Sequence, residues 1–254
     1  MGIIVFLILE RWIPFRQARI SLGQRWFINF SMSFCNLLVV DQFFVILLQR
    51  TELFSSIFNF NLYARLGLNS FWRIVVTIVV LDLVTYLWHR VNHGIPFLWR
   101  FHRVHHTDME VDVSTASRFH FGEMTISAMI NYALMLSLGA SMMEIRIFKV
   151  VFVFMTQLTH SNIRLWKPLE NILWLFIVPP AMHRVHHSNV KRETDSNYGT
   201  IFSLWDRLFG TFRSAGPGGI IFGLKEFIDP GELTLWKLLA LPFRKKSNVS
   251  TKGG

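Results

Sequence analysis

A chain of 254 residues that is 52% hydrophobic and only 17% charged, with a mean hydropathy of +0.37, does not read as a water-soluble domain. The net charge of +10 is spread through the segments between apolar stretches, and no nucleic-acid motif accompanies it. The excess therefore points to anionic headgroups and membrane topology, not to RNA or DNA. The single cysteine, Cys35, excludes an internal disulfide and any cysteine-based zinc or iron–sulfur site.

Residues 1–9 are apolar but too short to span a bilayer, and no small-residue cleavage site follows them. Residues 10–26 carry Arg11, Arg16, Arg19 and Arg25 with Trp12 and Trp26, a juxtamembrane pattern. Residues 27–48 form the first convincing span, in which Asn29, Asn36 and Asp41 should face protein. Residues 71–88 form the second, which runs without a break into His89. Residues 121–141 and 142–159 predict a helical hairpin that either crosses fully or inserts partway, with Arg146 and Lys149 just past its turn. Residues 169–178, ended by Pro179-Pro180, suit a helix lying in the interface, and residues 233–243 suit another. The basic tail, residues 244–254, is expected to be disordered. No linker or change of composition marks a second domain, so residues 1–254 read as one.

Lysine and arginine number four in residues 10–26, four in 89–121 and thirteen after 160, against two in the 49–70 loop. The positive-inside rule then puts every histidine segment and the C-terminus on the cytoplasmic side, where they can meet.

Those histidines hold the chemistry. One pentapeptide occurs twice, His102-Arg103-Val104-His105-His106 and His183-Arg184-Val185-His186-His187. On a helix, positions i, i+3 and i+4 share one side, so each copy presents three imidazoles within a turn. His89 and His93 add a pair at i, i+4, and His120 and His160 complete the ten histidines of the chain. Chance does not reproduce metal-ligand spacing three times. Ten imidazoles are too many for one ion, which takes four to six ligands, and suit two. A shell of neutral nitrogen donors fits a redox-active pair better than a structural or hydrolytic zinc site. Three acids are candidates to orient these ligands or assist catalysis. Asp82 lies two turns before His89 on the same helical face and is expected to accept from a histidine N–H; Glu123 follows His120, and Asp195 opens Asp195-Ser196-Asn197-Tyr198-Gly199.

These motifs, with Arg118-Phe119-His120, His160-Ser161-Asn162 and Trp205-Asp206-Arg207-Leu208-Phe209-Gly210-Thr211, resemble the fatty acid hydroxylase and sterol desaturase superfamily of membrane di-iron enzymes over about residues 80–213. The likeness is strongest to its compact bacterial members. It implies an all-α integral membrane protein of about four transmembrane or hairpin helices, with a cytoplasmic helical cap that carries a dinuclear site. It also implies two iron ions, with zinc able to occupy the same ligands, and O2 as co-substrate. The reaction it implies is hydroxylation or desaturation of an unactivated C–H bond in a membrane lipid. One departure is Phe121, where the family generally has proline after Arg-Phe-His. No histidine is left for a fused haem domain, so electrons are expected from a separate donor, a cytochrome b5-like protein or a ferredoxin with its reductase. Two other classes compete: a histidine-rich metal carrier or sensor, and a zinc-dependent lipid hydrolase.

Overall fold

The computed structural model describes residues 2–49, 61–227 and 229–244; the tail expected to be disordered lies outside them from residue 245 onward. The described chain is helical, with three isolated bridge pairs and no strand. Its first helices are α1 (Gly2–Trp12), α2 (Leu22–Asn36) and α3 (Gln42–Gln49), the last two fused through a π turn at Leu37–Asp41. After a short α4 (Leu62–Arg65) comes α5 (Ser70–Gly94), then α6 (Pro96–His106), which carries the first pentapeptide.

Two stretches, Leu22–Leu47 and Ser70–Gly94, are long and apolar enough to cross a membrane. At about 1.5 Å per residue, α5 is about 37 Å long, enough for a hydrocarbon core of about 30 Å with a turn to spare. That spare length lets one unbroken helix carry both the span and His89 and His93. On the first span Asn29 is buried, bonding Asp108 and Ser114, and Asn36 donates to the Phe119 carbonyl. Asp41, expected to face protein, is instead exposed as the last residue of the π turn.

The hairpin is α7 (Phe121–Leu138) and α8 (Met142–His160). Gly139 turns it at φ +71°, a left-handed conformation that glycine adopts without strain, and a side chain there would strike Asn61. Arg73, in the first turn of α5, donates to the Gly139 carbonyl at 3.0 Å and pairs with Glu144 at 3.0 Å. The hairpin tip is thereby held level with the start of α5, opposite the histidine-bearing end. Lys149 rests 4.4 Å above the Phe44 ring, which gives one tip cation an aromatic partner.

Beyond the hairpin the helices shorten: α9 (Lys167–Leu173), α10 (Pro180–His186), α11 (Lys191–Thr194), α12 (Leu204–Leu208) and α13 (Leu235–Ala240). The α13 region buries Leu238 and Leu241 against Ile28, Met32 and Val104, while Trp236 and Phe243 stay exposed. Arg25 is not the surface cation its juxtamembrane position suggested. It is buried and bonds Asp108 at 2.9 Å and Asp112 at 2.7 Å. Burial opposes ionisation of Asp108, yet Arg25 and Arg118 beside it hold its carboxyl well below the usual range. Removing one partner of such a buried pair costs about 3–5 kcal/mol, since the remaining charge is stranded.

Candidate metal centre

Helices α5, α6, α8 and α10 converge at one end of the bundle and bring together nine of the ten histidines in two groups. The first is His89, His93, His102, His106 and His186; the second is His105, His160, His183 and His187. Within each group the ligand atoms lie within 4.8 Å of one another. Neither pentapeptide serves one group alone. The first copy sends its i, i+4 pair to the first group and its i+3 histidine to the second, and the second copy does the reverse. The reason is angular. At about 100° per residue, i+4 lies about 40° from i on one flank and i+3 about 60° away on the other.

The rings are aimed by their outer nitrogens. His89 Nδ1 donates to the Tyr198 carbonyl at 2.8 Å, His102 Nδ1 to Glu123 at 2.8 Å, His186 Nδ1 to the Ser196 carbonyl at 2.7 Å and His160 Nδ1 to the Thr156 carbonyl at 2.7 Å. His93 Nδ1 reaches Asp195 at 3.3 Å. Such donors fix the tautomer and leave Nε2 with a bare lone pair. In the first group two bare Nε2 atoms then face each other, 3.1 Å apart on His89 and His102, and in the second group the bare Nε2 of His160 lies 3.0 Å from Nε2 of His105 and of His183. His93 and His186 Nε2, and both nitrogens of His187, are buried with no partner.

Lone pairs at that distance repel unless a cation lies between them. Two nitrogens bound to one ion at about 2.1 Å and about 90° are about 3.0 Å apart, so the spacing fits a metal. Protonation is not the alternative solution. Burial, reinforced by neighbouring imidazoles, pushes His105, His106, His183, His186 and His187 well below their ordinary pKa.

Three loop positions in sequence order, Asp195, Ser196 and Tyr198, brace three rings of the first group. Asn197 between them adopts φ 53° and ties the loop to the Met182 and Arg213 carbonyls. Asp206 accepts from the Tyr198 and Gly199 N–H groups at 2.8 Å. Asp206 was not among the acids expected to matter, although it sits in a motif of the resemblance. Asp82 has a different part from the one anticipated. It accepts from the Ile201 and Phe202 N–H groups and from the Trp205 indole, and these three donors, not a histidine, occupy its oxygens.

His120 also departs from expectation. It caps α7, accepting from Gly122 N–H through Nδ1, while Nε2 meets the Leu239 carbonyl at 3.1 Å; it belongs to neither group. The ring follows the helix start that Phe121 opens, and so is drawn to a backbone role.

A cavity of about 430 Å³ lies against both groups. His89 and His102 of the first and His105, His160 and His183 of the second line it, and Val84, Ile130, Phe152 and Val153 carry it down between the long helices.

The model of the fatty acid hydroxylase family matches residues 74–211. The chain belongs to this family. The match begins in α5, takes in every histidine named above and ends at Thr211, which bonds Asp206. Ornithine lipid hydroxylase OlsE of Rhizobium tropici is 32% identical over 184 residues, 72% of this chain and 54% of that protein. Alkylglycerol monooxygenase of Danio rerio is 30% identical, covering 73% of this chain and 40% of that one, and cholesterol 25-hydroxylase of Rattus norvegicus is 25% identical, covering 63% and 53%. The chain thus spans about half or less of the length of these relatives. No solved structure matches it at a significant level.

Proposed function

We propose that this protein oxidises an unactivated C–H bond of a membrane lipid with O2, at two iron ions held by the nine converging histidines. Hydroxylation is the favoured outcome and desaturation the alternative. The observation that carries the proposal is the cavity: histidines of both groups open onto one apolar space between long helices, so a lipid tail in it lies beside both ions. When bound, the irons would supply O2 activation and the removal of hydrogen from carbon. The chain's own residues do the rest. Apolar walls hold the tail and exclude water, and Glu123, Asp195 and the Ser196 and Tyr198 carbonyls keep imidazole lone pairs aimed inward. Zinc fits the same donors, so metal identity is part of the test.

The membrane reading follows the same logic. Besides the two spans, the hairpin α7–α8 reaches from the histidines to the Arg73 level, which supports a third and a fourth crossing. The charge distribution favours the cytoplasmic side for the histidine-bearing end. We include in this proposal a separate electron donor, a cytochrome b5-like protein or a ferredoxin with its reductase; His120, the one histidine outside the two groups, is committed to backbone contacts.

The experiment is reconstitution of the full chain in lipid nanodiscs, loading with ferrous iron, and mass spectrometry of the lipids with and without O2 and reductant. One added oxygen or one lost pair of hydrogens in a lipid class, dependent on iron, O2 and reductant together, is expected. Two bound irons with no O2-dependent change in any lipid would overturn the oxidation reading. Metal flux in proteoliposomes would mark a carrier instead, and lipid turnover without O2 a hydrolase.

A further inference from the structure

Asp82 is the middle residue of α5, twelve residues from Ser70 and twelve from Gly94, or about 18 Å from either end. A 37 Å helix across a 30 Å core leaves about 7 Å in excess, so Asp82 lies at least about 10 Å inside the hydrocarbon at either extreme of register. Yet this carboxylate holds the backbone of Ile201 and Phe202, and Tyr86, one turn on, stacks on Phe209 at 5.4 Å. The chain around 201–209 therefore sits at membrane depth. It is not a span: α12 has only five residues.

Irregular backbone survives at that depth only if its polar groups are satisfied within the protein. They are. Ser203 N–H donates to the Phe176 carbonyl and Val178 N–H to the Ile201 carbonyl, while the Ser203 hydroxyl and the Arg207 guanidinium both serve the Trp174 carbonyl. Arg207 also reaches the Leu175 carbonyl at 3.2 Å. The 166–178 and 201–209 segments are thus stitched into one unit whose outer side presents Trp166, Leu175, Phe176, Leu204, Leu208 and Phe209, with Phe176 66% and Leu208 65% exposed. Phe209 joins that face to α5 through Tyr86, and the neighbouring Leu87 and Val91 of α5 are exposed as well. Charge is sorted as well. In residues 163–178 and 201–213 both acids, Glu170 and Asp206, are buried, while Arg164, Lys167, Arg207 and Arg213 are exposed.

We propose that this unit is a second membrane-contact surface, a monotopic wedge immersed in the leaflet on the histidine-bearing side, with its cations among anionic phosphate headgroups. It rests on the reading of α5 as a span.

The test places one nitroxide label at a time at Leu208→Cys, Phe176→Cys and, on the first span, Leu38→Cys, in a Cys35→Ser background. The full chain is studied in nanodiscs of phosphatidylglycerol and phosphatidylcholine. All three labels are expected to relax with O2 and to lose their response to a water-soluble nickel complex. Nickel broadening at 208 and 176 with 38 still protected would overturn the wedge while the spans stand, and would assign the face to water or a partner protein. Nickel broadening at 38 as well would remove the spanning reading and the wedge with it. In discs of phosphatidylcholine alone, nickel access is expected to rise at 208 and 176 and not at 38; no rise would overturn the role of the anionic headgroups.

Discussion

The two histidine groups are built to different standards of rigidity. In the first, His89, His93, His102 and His186 each give their outer nitrogen to an oxygen of the protein, and only His106 lacks such a partner. In the second, His160 alone is braced, and Nδ1 of His105, His183 and His187 has none. What orients His105 instead is the Phe119 ring stacked on it at 4.2 Å. A stacked ring restricts tilt but does not choose a tautomer, so the second group is the less firmly braced of the two.

The largest expected effect separates the groups outright. His102→Ala should empty the first group and His187→Ala the second, each lowering bound metal from two ions to one and lipid oxidation to background. Metal analysis of both variants checks this; loss of both ions in both would mean that the groups are not separable. Next, Asp82→Ala strands two backbone N–H groups and an indole, costing about 3 kcal/mol or more. Since these donors lie on the chain running on from the 195–199 loop, thermal melts should show the cost, and metal should be lost from the first group before the second.

Smaller is Glu123→Gln, which keeps an acceptor for His102 but removes its charge. Metal affinity of the first group should fall about 10- to 100-fold with the second unchanged. Asp195→Asn should do less, under about tenfold, because its contact with His93 is 3.3 Å long and its side chain is 39% exposed. A larger loss from Asp195→Asn than from Glu123→Gln would reverse the bracing argument.

Acid gives the subtlest comparison. Histidines whose folded pKa lies below the unfolded value of about 6.5 contribute stability that is present above that pH and lost as pH falls from there toward the folded value. Melting of the metal-free chain should therefore be flat between about pH 7 and 8 and decline below about 6.5, and the loaded chain should release its less braced ion first. A melting temperature constant down to about pH 5 would contradict the buried, neutral state of these rings.

Much of this protein is legible in its residues because the relevant signals are local. A 25-residue apolar helix announces itself by composition, and the i, i+3, i+4 histidines announce metal chemistry by helical geometry. Glu123 and Asp195 could be picked out as orienting groups because each lies beside a histidine or a motif. Long-range partners could not. Asp82 and His93 are only eleven residues apart on one helix, yet the first serves a loop 119 positions away and the second a metal group.

The sequence by itself determined that this chain has two stretches long and apolar enough to cross a membrane, that its histidines fall at metal-ligand spacing, and which family it belongs to. Composition, periodicity and spacing are properties of neighbouring residues, and need no knowledge of distant ones. Only the tertiary structure decided that the pentapeptides divide their histidines between two groups, that His120 caps a helix, and that a short loop lies against the middle of the long apolar helix α5. Each of these depends on where a nitrogen or carboxylate finds its partner across the bundle, and burial makes a polar atom take whichever partner the packing brings within reach.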